Sequence, residues 1–568
     1  MTKNKELAEI FDNMANILEF NGESPFKITA YRKAAGIISN LSQDIEKIAK
    51  DGRLEDIPGI GRSIAGKIEE YLNTGEIKAY KKAASDLPEG IIRLMDIQGI
   101  GPKTLRLIYE RLNVRTLDDL KRVIEDGSLA TLPLMGEKRV ENIKKSIEFL
   151  DKTKGRLLIH DALMLAEEVI SYLNNTKDKD RIIAIAGSLR RKKETIGDID
   201  LIACSDDKNN LIERFINIPI TERVIAAGTT KGSVVIKGTQ VDLRVVDKTS
   251  YGSALQYFTG SKAHNIKIRT IAKEKGLKLN EYGLFDGDKK IAGRTEEDVY
   301  KTLDLPWIPP ELREDIGEIE AARSGKLPDL VDMKDIKGDL HIHSNYSDGT
   351  STLEDIVQEA ISYGYEYVAV SDHSQSVKYA KGLSIDRLKK RNSEIDRINK
   401  DKNDVVLLKG MEVDILRDGS LDYPDKILED LDIVIAAIHQ GFKNNINERM
   451  LAAMKNPNVD IIAHPTGRVL PAREGYEIEI DRLINDAKDT GIVLEINSYP
   501  NRMDLNDINC KRAKENGIKM SLGTDTHGKG MMRYIELGLG IARRGWLEKE
   551  DLINTYSLND LRDKVLKK

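Results

Sequence analysis

Gly338-Asp339-Leu340-His341-Ile342-His343-Ser344-Asn345-Tyr346-Ser347-Asp348-Gly349 is the stretch from which the second half of the chain can be read. Its first half is an apolar run carrying two alternating histidines. On a β-strand, residues two apart point to the same face, so His341 and His343 project together. Six further apolar runs follow, at Tyr367–Ser371, Val405–Leu408, Ile433–Ile438, Val459–Ala463, Ile492–Ile496 and Met520–Gly523, with helical stretches between them. Strands that alternate with helices predict a parallel α/β barrel over 338–568. In such barrels the chemistry collects at the C-terminal ends of the strands.

Those ends hold Asp372-His373, Glu412, His439, His464-Pro465 and Asp525-Thr526-His527, while Asp348 follows the first strand. Of the eight histidines in the chain, six lie after residue 340. One histidine at a strand end is ordinarily a satisfied core residue. Six of them beside carboxylates predict a multimetal site. Mixed nitrogen and oxygen ligation suits Mn²⁺, Zn²⁺ or Fe²⁺, and such a cluster can activate water against a phosphoester. Asp372 is expected to orient a ligand from behind.

Upstream, β-like runs occupy Arg181–Gly187, Asp200–Cys204, Ser233–Lys237 and Val241–Val246. Three motifs sit on them: Gly187-Ser188-Leu189-Arg190-Arg191, Gly197-Asp198-Ile199-Asp200 and Val241-Asp242-Leu243-Arg244. Asp198 and Asp200 share a strand face, and Asp242 can join them from a later strand. Three converging carboxylates repel one another unless divalent cations sit among them, which is the arrangement of two-metal phosphoryl transfer. Gly187 and Ser188 can offer donors to phosphates, and Arg191 adds a fixed cationic fork. A lone Gly-Asp-x-Asp would be an acidic surface turn; the ordered set of three motifs speaks for chemistry.

The first 150 residues read as short helices with a repeat. Ile57-Pro58-Gly59-Ile60-Gly61-Arg62 returns as Ile97-Gln98-Gly99-Ile100-Gly101-Pro102 and, more weakly, as Leu132-Pro133-Leu134-Met135-Gly136-Glu137. Glycines permit a tight turn whose amides, at the start of a helix, approach a phosphate oxygen. Contacts of this kind grip a nucleic-acid backbone without reading its bases.

At 568 residues the chain should form three or four domains. Its 40% hydrophobic and 32% charged residues describe a globular protein. No apolar run is long enough to span a bilayer, so no membrane partner is expected. Cys204 and Cys510 cannot build a disulfide framework, which points to the cytoplasm. The net charge of −5 arises after residue 330; the part before it is close to neutral. DNA would therefore be held by local lysines, arginines and amides, not by a global field. The expected divisions are 1–80 and 81–150 (two α-helical units), 151–250 (a nucleotidyltransferase palm), 251–323 (a thumb), 324–337 (a charged linker) and 338–568 (the barrel).

The upstream motifs, with Tyr257-Phe258-Thr259-Gly260-Ser261, resemble the family X DNA polymerases over roughly residues 20–320. The N-terminal repeats resemble the helix-hairpin-helix (HhH) motif of DNA repair proteins. The resemblance implies that Asp198, Asp200 and Asp242 hold two Mg²⁺ or Mn²⁺ ions. It places Gly187, Ser188, Arg191, Gly197, Tyr257, Phe258 and Gly260 around the incoming triphosphate, and Asn265 and Arg269 against the base and templating strand. Gly59, Gly61, Gly99 and Gly101 would meet DNA. Ala30–Ala35 and Ile57–Lys67 are similar to the family's lyase domain, which implies a Schiff-base lysine at Lys67 and a 5′-phosphate contact at Lys27. Ser63 and Phe26 depart from that pattern.

The downstream set resembles the polymerase and histidinol phosphatase (PHP) domain, a distorted (β/α)7 barrel, with every ligand position filled. That likeness implies up to three metals: one on His341, His343, Glu412 and Asp525, one on Glu412, His439 and His464, and one on Asp348, His373 and His527. The order of polymerase followed by PHP domain is that of prokaryotic family X enzymes. It implies a monomer that uses deoxynucleoside triphosphates and gapped or nicked DNA in base excision repair. It also implies a 3′→5′ exonuclease that cleans 3′ ends, and it raises abasic-site endonuclease and lyase activities. Two other readings remain. One is chiefly a repair nuclease whose polymerase module serves as a DNA clamp. The other is a small-molecule phosphatase fused to a nucleotidyltransferase, against which the repeated hairpins speak.

Overall fold

The computed structural model describes residues 3–566 except 40–44, 58, 86, 88–89, 96, 98–99, 134, 138, 142, 145–146, 148–154, 176–180, 402–403, 472 and 474. Helices Lys3–Phe20, Pro25–Ser39, Ile45–Lys50 and Arg62–Thr74 enclose a first core around Leu7, Phe11, Ile38 and Ile68. A second core gathers Ile100, Leu105, Ile108, Leu120 and Met135, and Phe20 at the end of the first helix belongs to it. One long helix therefore serves both helical units.

All three copies of the repeat close the same turn. The amide of Ile60 donates to Ile57 O (2.9 Å), that of Ile100 to Ile97 O (3.0 Å), and that of Met135 to Leu132 O (3.1 Å). In each copy the next residue is glycine, and its carbonyl accepts the first helical bonds, from Ile64, Leu105 and Arg139. Ile60, Ile100 and Met135 are buried, so an apolar plug under the turn is what the weak third copy retains. Gly99 lies outside the described residues.

The palm opens with β1 (Leu157–Leu158), β2 (Ile182–Ile185), β3 (Thr195–Ile196) and β4 (Asp198–Cys204), and continues with β5 (Arg223–Ala227), β6 (Lys231–Ile236) and β7 (Thr239–Val246). Five of these form a mixed sheet in the order β2-β4-β7-β6-β5, with β4 and β7 parallel. Strand β5 has no counterpart in the sequence reading. Every one of its residues is exposed, so it lacks the inside–outside alternation that betrays a half-buried strand. The thumb follows, with helices Tyr251–Thr259 and Lys262–Glu274 and an antiparallel meander of β8 (Leu277–Asn280), β9 (Gly283–Asp286) and β10 (Lys289–Ala292).

The segment 324–337, expected as a charged linker, is fastened to the barrel. Val331 is buried and donates to Leu547 O (3.1 Å), while the Asp329 amide donates to Glu548 Oε1 (2.9 Å).

Seven parallel strands follow in spatial order: β11 (Gly338–Ile342), β12 (Tyr367–Val370), β13 (Val406–Asp414), β14 (Ile433–Ala437), β15 (Ile461–Ile462), β16 (Val493–Asn497) and β17 (Met520–Gly523). They are buried on both faces, which is why they read as continuous apolar runs. The C-terminal end of β11 pairs with the residues that follow β17, where Asp525 N–H donates to His341 O (2.9 Å) and His343 N–H to Thr526 O (2.8 Å). Below that point side chains replace strand pairing. Asp339 Oδ1 accepts from the amides of His341 and Thr524 (both 3.1 Å). Asn554 donates to Gly338 O and Leu522 O (both 2.9 Å) and accepts from the Leu522 amide (2.6 Å). One continuous apolar cluster runs from the palm into the barrel, and the residues that include Leu340, Tyr367, Leu408 and Ile433 form a separate core.

Candidate active sites

In the palm, the register pairs Asp200 of β4 directly with Asp242 of β7, and Asp198 precedes Asp200 on the same face. Burial, then the charges of Asp198 and Asp242, push the Asp200 carboxyl up to about 7. Asp242 is steadied by Gln240 Nε2 (3.1 Å) and Lys231 Nζ (3.5 Å). The short helix Gly187–Arg190 begins against this group. Gly187 has φ +60°, and a Cβ there would come within 2.3 Å of Asp200 Oδ2, so no other residue fits so close to the triad.

The other residues expected at the nucleotide are arranged as follows. Arg191 donates from Nε to Glu314 Oε1 (3.0 Å) and from NH1 to Thr259 O, and Gly260 packs against its guanidinium. Arg190 grips Glu296 with both nitrogens (2.8 and 2.7 Å). The Tyr257 and Phe258 rings meet edge to face at 5.1 Å, with Arg244 stacked over Phe258 at 4.7 Å. Asn265 turns inward, donating to Tyr257 O (2.6 Å) and accepting from Gln256 (2.8 Å), whereas Arg269 is exposed. Gly197 lies at the turn into β4 beside Arg156, and Ser188 is half-buried next to Gly187.

In the N-terminal unit, Lys67 Nζ donates to the carbonyl and hydroxyl of Ser63 (both 3.1 Å) and lies 5.9 Å from the Tyr31 ring centre. Lys27 pairs with Glu23 (3.0 Å) beside Phe26, an aromatic ring 86% exposed. Gly59 sits in the first hairpin turn, and Gly61 and Gly101 cap the helices that follow.

In the barrel, the strand ends form one ring. Glu412 lies at its centre. Its Oε1 is 3.2 Å from His439 Nε2 and 3.0 Å from His464 Nε2; its Oε2 is 2.7 Å from His373 Nδ1 and 3.7 Å from both His341 Nε2 and His343 Nε2. Asp525 Oδ1 stands 3.1 Å from His343 Nε2 and 3.9 Å from His341 Nε2. Asp348 Oδ2 is 3.6 Å from His373 and 3.4 Å from His527. Three groups bring their ligand atoms within 4.8 Å of one another: His343, Asp348, His373 and His527; His341, His343 and Glu412; and His373, Glu412 and His439. These groups overlap the expected partition but differ from it: Asp525 and His464 belong to none of the three, and His343, His373 and Glu412 each belong to two.

The donor set fits cations. His343 Nδ1, Asp348 Oδ1, His373 Nδ1, Glu412 Oε2, His439 Nδ1 and His464 Nδ1 are buried without a hydrogen-bond partner among the described residues, a concentration that ordinary cores avoid. His341 Nε2 and His343 Nε2 approach to 3.2 Å, as two lone pairs aimed at one ion would. Burial opposes ionisation of Glu412, but His439, His373 and His341 hold it well below the usual carboxylate range. Burial, then His527 and His373, push His343 down to about 4, which favours its neutral form, whereas against burial the adjacent carboxylates push His439 and His527 up to about 9, protons that a cation would have to displace.

Two orienting carboxylates escaped the sequence reading. Glu495 Oε1 meets His341 Nδ1 (2.6 Å), and its Oε2 accepts the His464 amide (2.7 Å). Asp414 Oδ1 accepts the His439 amide (2.9 Å). Gly523 faces Glu495, where a Cβ would fall 2.2 Å from Oε1. Asp372, expected behind a ligand, instead accepts from Ser344 N (2.9 Å), Ser347 Oγ (2.6 Å) and Arg391 (3.1 Å). It shapes the loop carrying Asp348 and does not orient a histidine. The signal for Glu495 was its charge inside an apolar strand run.

Four family models match the chain: a helix-hairpin-helix domain (residues 2–77), a SAM-like helix-hairpin-helix tandem (91–148), the DNA polymerase beta thumb (254–314) and the PHP domain (339–499). Fold and matches define a class, a β-type polymerase architecture joined to a PHP phosphoesterase barrel. The DNA polymerase/3′-5′ exonuclease PolX of Bacillus subtilis (strain 168) is 37% identical over 566 residues, covering 98% of each chain. The chain belongs to the PolX family. DNA polymerase lambda of Arabidopsis thaliana is 27% identical over 55% of this chain and 62% of its own. A probable phosphatase of Thermoanaerobacter sp. (strain X514) is 30% identical over 38% of this chain and 89% of its own.

Proposed function

We propose that the chain is a template-directed DNA polymerase that fills short gaps during base excision repair, with a 3′→5′ exonuclease in its barrel. The observation that carries this is the convergence of ligand-type side chains in two different folds: Asp198, Asp200 and Asp242 in the palm, and the histidines and carboxylates gathered around Glu412 in the barrel. Divalent cations, when bound, acidify the attacking hydroxyl or water and neutralise charge on the phosphate. Two Mg²⁺ or Mn²⁺ suit the palm carboxylates, and up to three Mn²⁺, Zn²⁺ or Fe²⁺ suit the mixed barrel ligands. The chain's own residues do the remaining work. Ser188 and the amides at the start of helix Gly187–Arg190 face the triphosphate, and Arg191 meets its charge. Tyr257, Phe258 and Gly260 border the sugar, and the three hairpins hold the DNA backbone. In the barrel, Glu495 fixes His341 with Nε2 toward the ring centre, and Asp414 positions His439.

The functional divisions we assign are 1–80, 81–150, 151–250, 251–323 and 338–568, with 324–337 as the docked connection. The substrates are gapped or nicked DNA and deoxynucleoside triphosphates, acted on by a monomer in the cytoplasm. The complete triad argues against a polymerase module reduced to a clamp. The test is a gapped duplex incubated with nucleotides and Mn²⁺, reading extension and degradation together. Asp242→Ala should abolish extension and keep degradation. Extension at the wild-type rate by that variant overturns the assignment.

A lyase step at Lys67 is a second activity, supported by its place one helical turn beyond the first hairpin. Borohydride should trap the protein on an incised abasic site. Equal trapping of Lys67→Ala rules this lysine out.

A further inference from the structure

Among the contacts between barrel and palm, one guanidinium lies behind Arg191. Arg544, at the end of the barrel helix Ile535–Arg544, is 5% exposed in its side chain. Asp507 holds it in place, 2.8 Å from Nε and 2.6 Å from NH2. Its NH1 then crosses to the polymerase half, donating to Arg191 O (2.7 Å) and to Glu314 Oε1 (3.0 Å). That same Glu314 oxygen accepts from Arg191 Nε at 3.0 Å, with Lys193 Nζ 3.6 Å away. Arg191 and Glu314 are nearly buried, with side chains 12% and 15% exposed. A palm arginine and a barrel arginine therefore share one thumb carboxylate.

This sharing has an electrostatic consequence for whatever approaches Arg191. A guanidinium paired one-to-one with a buried carboxylate presents little net charge to an anion, and the anion must compete for its donors. Arg544 enters paired with Asp507 and adds no net charge, but its donation to the same Glu314 oxygen weakens the carboxylate's hold on Arg191, and Lys193 leaves the group net positive. Arg543, one residue earlier, also crosses the junction, to Glu311 (2.8 Å), but reaches neither Glu314 nor Arg191.

The geometry points to Arg544 as a positioning residue for the polymerase: through Glu314 it keeps Arg191 available to the incoming triphosphate, so the nuclease barrel sets nucleotide affinity. The inference rests on the reading that Arg191 meets the triphosphate. Its test uses the full-length protein on gapped DNA with deoxynucleoside triphosphates, comparing KM with kcat. Arg544→Ala should raise the nucleotide KM roughly tenfold with kcat and exonuclease activity nearly unchanged, an effect typical of one coupled charged contact. Arg544→Lys should recover part of it, and Arg543→Ala should leave KM unaltered.

The decisive arm is the Glu314→Gln background, in which the carboxylate charge is gone. There, Arg544→Ala should have no further effect on KM. Thermal unfolding of each variant identifies those that remain folded, and Arg544→Lys carries the test if Arg544→Ala does not. An unchanged KM in folded Arg544 variants overturns the proposal. So does an equal rise in KM in both backgrounds, which would mean that Arg544 acts only by docking the domains. If Arg191→Ala itself leaves KM unchanged, the reading of Arg191 falls and the proposal built on it falls with it, an outcome distinct from the other two.

Discussion

Glu495 offers one oxygen to the ring of His341 and the other to the amide of His464. A carboxylate can accept both bonds; an amide has only one acceptor oxygen. Glu495→Gln therefore turns an N–H either toward the His464 amide or toward His341 Nδ1, and in the second case the His341 proton moves to the nitrogen that should face the ion. We expect the variant to bind barrel metal roughly 10–100-fold more weakly, with exonuclease loss and normal extension. Metal titration beside both activities checks it. Asp200 supplies a pH dependence. Its carboxyl, raised to about 7, is disfavoured as an anion in the metal-free site, so that state is most stable below the ordinary carboxylate range and loses this advantage as the pH rises from there to about 7, above which no more is lost. A cation must displace the proton. Apparent Mg²⁺ affinity should therefore climb from pH 6 and level off above about 7, and Asp242→Asn, by removing a repelling charge, should flatten the curve. Calorimetric Mg²⁺ titrations across that range decide.

At the scale of elements, the barrel strands were legible because a strand buried on both faces is an unbroken apolar run, and most of the expected ligands stand where such a run ends. Strand β13 runs on to Asp414, so Glu412 sits within it and not after it. Strand β5 was illegible because all of its residues are exposed. The hairpin turns were legible from glycine spacing, and the third copy kept its turn although its sequence had drifted. What sequence could not convey was the join between β11 and β17. Asn554 lies far along the chain and nothing in its surroundings marks it, yet it satisfies Gly338 O and both backbone groups of Leu522. Asn554→Leu leaves these buried groups unpaired and should lower stability by about 2–4 kcal/mol. Denaturant unfolding followed by barrel-sensitive fluorescence measures the loss.

Across the whole molecule, the order of catalytic units could be read from motif spacing, but their docking could not, because ion pairs such as Arg544–Glu314 and Arg468–Glu194 join residues with no periodic relation. The ring's own ligands lie at strand ends within the barrel and make no direct bond to the palm triad. Glu412 touches more of the ring than His343 does through any one carboxylate contact, so Glu412→Ala should lose more bound metal than His343→Ala. Both should lose 3′→5′ degradation and keep nucleotide addition, as elemental analysis and paired activity assays would record.

The seam that joins the first barrel strand to the last also has a bearing on biosynthesis. His341 and His343 are synthesised well before Asp525, His527 and the Asn554 clasp. A chain stopped before Asp525 carries all three palm carboxylates but has an open barrel without Asp525 and His527. A chain that stops before Asp525 therefore lacks carboxylate and imidazole groups on which the proposed degradative chemistry depends.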